Sequence, residues 1–144
     1  MTDGCKTDMA HICIEKRGVI FFEKGEIDKA LKDLEMSTQK EGNSSSTAHY
    51  FKGLIYYQQQ KIVDSLLCFE EALKADNHRE NVTASVEMMM KIKIEEKDFY
   101  EAYHILTRAD NVEVDKEALN EWKLFLEGSL YLMKKKYKEG IHMF

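Results

Sequence analysis

The residues able to do chemistry are few and dispersed. Cys5, Cys13 and Cys68 are the thiols of the chain, and no two stand in a CxxC spacing. His11 and Cys13 lie close together, but a metal needs more ligands than these two supply. An odd number of separated cysteines reads as free thiols in a reducing compartment. His49 stands just before an aromatic run, and His104 reads as a surface or packed histidine rather than a base. Glu70-Glu71 and Glu95-Glu96 are adjacent in sequence, so a helix aims them apart, and they read as solvated charge rather than a paired acid and base. Met88, Met89 and Met90 read as adaptable packing. The chain contains no GxGxxG, GxxxxGK, GxSxG or HExxH. It is therefore read as non-enzymatic, with no catalytic residue, cofactor or metal assigned.

What remains is the chemistry of contact, which depends on the elements that present the apolar and aromatic side chains. The 144 residues are 44% apolar and 33% charged, with seven glycines and no proline. A proline-free chain rich in Lys, Glu, Leu and Met favours helix throughout, and nothing in it reads as a strand. The net charge of −5 disfavours nucleic acid as a partner. The basic cluster Lys134, Lys135, Lys136 and Lys138 reads as a solvated turn. No apolar run approaches the roughly 20 residues needed to span a bilayer, so no membrane insertion is expected. Residues 1–10 lack the basic and apolar regions of a signal peptide, and two Asn-x-Ser/Thr matches are read as chance. The resulting expectation is a cytoplasmic protein, with a nuclear or a cytoskeletal or ciliary assembly left open.

An internal repeat organises the chain. Arg17-Gly18-Val19-Ile20-Phe21 matches Lys52-Gly53-Leu54-Ile55-Tyr56 at an offset of 35. The same offset relates Ile27 to Ile62, Ala30 to Ser65, Leu34 to Phe69 and Ser37 to Ala72. Ala102 and Gly140 continue the small-residue series, and Gly128 and Tyr131 continue the glycine–aromatic pair. Each unit reads as two helices. Ser46 or Thr47 is placed to cap a helix running to about Gln59, and Ile62, Leu66, Phe69 and Leu73 recur at helical spacing. Helices are expected near 9–23, 26–40, 46–59, 62–75, 80–96, 98–110, 115–134 and 137–144. Glycine inside a helix costs about 1 kcal/mol relative to alanine. That cost is accounted for if a second helix crosses closely. Gly18, Gly53, Gly128 and Gly140, with Ala30, Ser65, Ala72 and Ala102, are read as the small residues of such crossings. Phe21, Tyr56, Phe69 and Tyr131 are read as the large residues filling the space beside them.

This pattern resembles the tetratricopeptide repeat (TPR), most clearly from His49 to Tyr56 and from Ser65 to Leu73. The proline common at the end of that repeat is replaced by Gly42, Asn77 and Val114, and the third repeat carries Met90 and Lys93 where glycine and an aromatic are common. The resemblance implies an all-α fold, a right-handed superhelical array of antiparallel helix pairs. This TPR-like α-solenoid would hold about three and a half repeats. Residues 1–8 would form a short N-terminal tail. Residues 9–144 would form the repeat domain, with units near 11–44, 46–79, 83–116 and a truncated 121–144. The resemblance also implies a concave groove lined by the first helix of each pair. Carried over by position, Val19, Phe22, Tyr50, Leu54, Tyr57, Lys91, Trp122 and Phe125 face that groove, together with Glu15, Glu23, Glu87, Ile94 and Glu95. Such a surface suits a helical or extended apolar peptide of a partner protein, and the chain is expected to act as an adaptor or scaffold. Capture of chaperone C-terminal tails is disfavoured, because Glu15, Val19, Phe51, Ala84 and Met88 stand where cationic and amide donors are needed. The helix holding Trp122 to Met133 is apolar nearly all round. The repeat breaks off at Phe144, and the expectation is either a piece of a longer array or an end covered by self-association.

Overall fold

The computed structural model describes the backbone of residues 9–39, 45–75 and 77–143, without the side chains of 9–11, 110 and 139–143. The expected N-terminal tail, the turn at Gly42 and the packing of Gly140 lie outside the described residues. The described residues form seven α-helices and no strand: α1 (Met9–Glu23), α2 (Ile27–Gln39), α3 (Ser46–Gln58), α4 (Ile62–Ala75), α5 (Arg79–Glu95), α6 (Phe99–Arg108) and α7 (Lys116–Met143). A 3-10 turn, Ala109–Asn111, follows α6.

Three helix pairs, α1/α2, α3/α4 and α5/α6, close through the same turn. Gly25, Gln60 and Lys97 each take a left-handed φ, at 84°, 61° and 62°. In each turn that residue donates its N–H to the carbonyl three residues back: Gly25 to Phe22, Gln60 to Tyr57 and Lys97 to Ile94, at 2.9–3.0 Å. The next residue donates five back: Glu26 to Phe21, Lys61 to Tyr56 and Asp98 to Lys93, at 2.8–2.9 Å. This double closure satisfies last-turn carbonyls that would otherwise lack partners, and it reverses the chain in three residues.

Small residues sit where the paired helices meet. A Cβ built on Gly53 would lie 2.5 Å from Phe69 Cε1, and one on Gly18 would lie 3.0 Å from Leu34 Cγ. Ser65 adds a bond across the same crossing, donating its hydroxyl to the Gly53 carbonyl at 2.9 Å. Ala30, Phe69, Ala72 and Ala102 are fully buried. Phe21 and Tyr56 are half-buried beside the crossings.

Among the described residues the main contacts join helices adjacent in the chain, with sparser ones between helices next but one: α1 to α3, α3 to α5 and α5 to α7. The odd-numbered helices therefore lie side by side. The core is divided accordingly. One cluster centres on Leu34 and Ile55, and a larger one runs from Phe69 to Leu126. Rings of Phe22, Phe51, Tyr50 and Phe69 form a continuous run between them, with centroids 5.4, 5.1 and 6.1 Å apart. Hydroxyls also tie the first helix of a pair to the segment that follows the pair. Ser46 Oγ donates to the Ala72 carbonyl at 2.8 Å and accepts from the Asn77 N–H at 3.3 Å. Thr83 Oγ1 repeats the second of these bonds one unit on, accepting from the Asp115 N–H at 2.8 Å, while it donates to the Arg79 carbonyl of its own helix at 2.8 Å. The cap expected of Ser46 or Thr47 belongs instead to Ser45, which accepts from the Ala48 N–H.

The fourth unit departs from expectation. α7 is one helix of 28 residues, with no break between Lys134 and Tyr137. No residue there takes the left-handed φ on which the other three turns depend, and Lys134 to Lys138 are residues of good helix propensity or neutral ones with no glycine or proline among them to break the helix. Gly128 and Tyr131 consequently do not serve as packing residues among the described residues. A Cβ on Gly128 would meet nothing within 4 Å, and Tyr131 is 68% exposed.

Candidate functional site

The face made by α1, α3, α5 and α7 carries the expected groove residues, but it does not expose them equally. Val19 and Phe22 pack against the Leu34–Ile55 cluster. Tyr50, Leu54, Tyr57 and Trp122 pack against the larger cluster and remain half-buried. Lys91 and Phe125 are exposed, Phe125 at 52%. The face is thus half core and half surface. Helical spacing cannot separate these roles, because a residue at the edge of a stripe serves both.

Between α5 and α7, Lys91, Ile94, Glu95, Glu121, Trp122 and Phe125 line a recess of about 400 Å³. Polar groups set its shape. Trp122 Nε1 donates to Glu87 Oε2 at 3.0 Å, fixing the indole across from α5. Tyr57 donates its hydroxyl to Glu95 Oε1 at 2.7 Å, tying α3 to α5. Lys91 Nζ stands 5.7 Å from the centre of the Tyr57 ring, a cation–π geometry. The hydrogen bond to Glu95, with a smaller contribution from burial, raises the pKa of the Tyr57 phenol. Burial, and then the charge of Glu87, does the same at Tyr50. Of the lining residues, Glu121 is the one missed from sequence. It sits one residue before Trp122, and the family positions carried over do not include it.

The opposite face, from the even-numbered helices, differs in its electrostatics. Arg108 grips Glu70 with two bonds of 2.8 and 2.6 Å, and Lys74 and Lys29 pair with Glu71 and Glu26. Its exposed apolar residues include Met36 of α2, Val63 and Leu67 of α4 and Tyr100 of α6.

Among the described residues the thiols and histidines do not converge; Cys5 and the His11 side chain lie outside them. Cys13 is half-buried and Cys68 buried, both free, and burial pushes the Cys68 thiol pKa up. His49 is held below the ordinary imidazole pKa, chiefly by burial and then by the Lys52 charge. His104 is exposed on α6. Among the described residues no group of three or more His, Cys, Asp or Glu is placed to hold a metal ion. No helix among them is long and apolar enough to cross a membrane.

Comparison with protein-family profiles, curated proteins and solved structures finds no match.

Proposed function

We propose that this chain is a TPR-like helical repeat that works as a non-catalytic interaction module. In this reading its first-helix face is the concave side of a right-handed array. It holds a helical or extended segment of a partner protein, as an adaptor or scaffold in a cytoplasmic assembly. The single observation that carries the reading is the recess between α5 and α7, where Trp122 and Phe125 offer aromatic surface beside Ile94. Buried-edge aromatics of this kind dominate binding energy at protein interfaces. The recurring left-handed turns and the serine and threonine ties support the repeat assignment, because equivalent bonds recur at equivalent positions.

Two exposed residues on opposite faces make the test. Phe125→Asp should abolish capture of partner proteins by the immobilised chain, and Val63→Asp should leave capture unchanged, with the helical circular dichroism of both preserved. Loss with Val63→Asp alone would move the binding surface to the other face.

A second reading is self-association through α7. It rests on Leu124, Tyr131 and Leu132 of that helix, exposed at 65%, 68% and 59%. Light scattering across a hundredfold range of concentration separates the two, since a constant monomer mass removes this alternative.

A further inference from the structure

The charges around the α5/α7 recess say what kind of segment it takes. On the even-numbered helices the carboxylates noted above are matched by cations: Glu70 by Arg108, Glu71 by Lys74 and Glu26 by Lys29. Around the recess two carboxylates are held differently, although Lys93 pairs with Glu96 at the end of α5 and Glu35 of α2 accepts from the Tyr56 hydroxyl. Glu87 accepts from the Trp122 indole and Glu95 from the Tyr57 hydroxyl, both neutral donors. A hydrogen bond from a neutral donor orients a carboxylate without cancelling its charge. Glu121, at the rim, makes no hydrogen bond or ion pair with the described residues. Lys91, the one cation lining the recess, is directed to the face of Tyr57. The recess is therefore an apolar hollow edged by two carboxylates, Glu95 and Glu121, and one cation, with Glu87 adding a third negative charge behind the Trp122 indole, so that negative charge is in excess.

Resting on the interaction reading above, we propose that this recess binds a basic amphipathic segment of a partner protein. One bulky apolar side chain fills the space between Ile94, Trp122 and Phe125. Lysine or arginine side chains one helical turn to either side reach Glu95 and Glu121. The charge complementarity selects the partner, and the apolar anchor supplies the contact area. An acidic segment with the same apolar spacing is repelled at the rim.

Trp122 is the only tryptophan of the chain and lines the recess, so its fluorescence reports occupancy directly. The probes are three synthetic 18-residue helical peptides with identical leucine spacing and with Lys, Gln or Glu at the flanking positions. The Lys peptide should bind about fivefold to tenfold more tightly than the Gln peptide at low salt, from about two exposed charge pairs. The Glu peptide should bind more weakly than either. The preference should shrink as salt rises, and the double variant Glu95→Gln/Glu121→Gln should reduce it to about twofold or less. Equal binding of all three peptides, with a Trp122 response lost in Phe125→Asp, would overturn the charge inference and leave the interaction reading intact. No Trp122 response to any of the three peptides at millimolar concentration would overturn both. Preference for the Lys peptide that persists in the double variant would place the selecting charges elsewhere and also overturn the inference.

Discussion

Gly53 and Phe69 touch so closely that a Cβ added to the glycine would fall 2.5 Å from the ring. Gly18 of α1, Gly53 of α3 and Gly128 of α7 form a graded series in this respect. Alanine gains about 1 kcal/mol over glycine in helix propensity wherever it fits. Gly128→Ala should therefore raise stability by about 0.5–1 kcal/mol, since its surroundings are open. Gly53→Ala should lower it by about 1–3 kcal/mol, because the Phe69 ring is fully buried and overpacking costs that much. Gly18→Ala, facing Leu34 Cγ at 3.0 Å, should fall between them. Urea denaturation midpoints at equal slope check the order.

The left-handed turn residues offer a second test. Gln60 and Lys97 sit at φ 61° and 62°, where a side chain costs roughly 1 kcal/mol that glycine does not pay. Gln60→Gly and Lys97→Gly should each stabilise by about 0.5–1 kcal/mol. Gly25→Ala should destabilise by about 1 kcal/mol for the same reason. Thermal melts of the single variants, and of the Gln60→Gly/Lys97→Gly pair for additivity, decide this.

Arg17 clamps Asp33 with two bonds, Nε to Oδ2 at 2.7 Å and an Nη to Oδ1 at 3.0 Å. The Asp33 side chain is 6% exposed and that of Arg17 is 54%. Removing the exposed partner leaves the buried one charged in a poor solvent. Arg17→Met should cost about 1–3 kcal/mol, the upper range for a buried pair being discounted because Arg17 is half in water. The double variant Arg17→Met/Asp33→Leu should recover most of that loss. Equal losses in the single and double variants would show that the pair is not what holds α1 to α2.

His49 predicts a pH dependence. Its folded-state pKa lies below the ordinary 6.5, so the folded chain holds fewer protons there than the unfolded chain. Stability therefore rises with pH through this window. The contribution is complete above the unfolded value and is lost as pH falls below 6.5 toward the folded value. Urea midpoints measured between pH 7.5 and pH 5.5 should fall for the wild type and fall less for His49→Gln. Parallel curves for the two would remove His49 as the cause.

Much of the helix layout was legible because its causes are local. Ile62, Leu66, Phe69 and Leu73 recur at helical spacing, and α4 spans Ile62–Ala75 accordingly. Gly53 with Ser65 and Phe69 could be read as a crossing because the same residue types recur 35 positions earlier at Gly18, Ala30 and Leu34. The candidate face was legible as a list of positions and not as a site. Tyr50 and Phe125 occupy equivalent places in the repeat, yet Tyr50 packs on Phe69 while Phe125 stands half in solvent. No helix is packed over the Gly128 side of α7 among the described residues, so the same motif that makes a crossing at Gly53 leaves open surface there.

By itself the sequence determined where α1 to α7 start to within about one residue, which residues are small enough for a close crossing, and that residue types recur along the chain. Those properties depend on backbone propensity and side-chain volume within a few turns. Only the tertiary structure decided which crossings are made, that α7 runs on from Lys116 to Met143, and that Glu87 and Glu95 bond to Trp122 and Tyr57. Those bonds join residues 35 and 38 positions apart, and they exist only because stacking brings α3, α5 and α7 side by side.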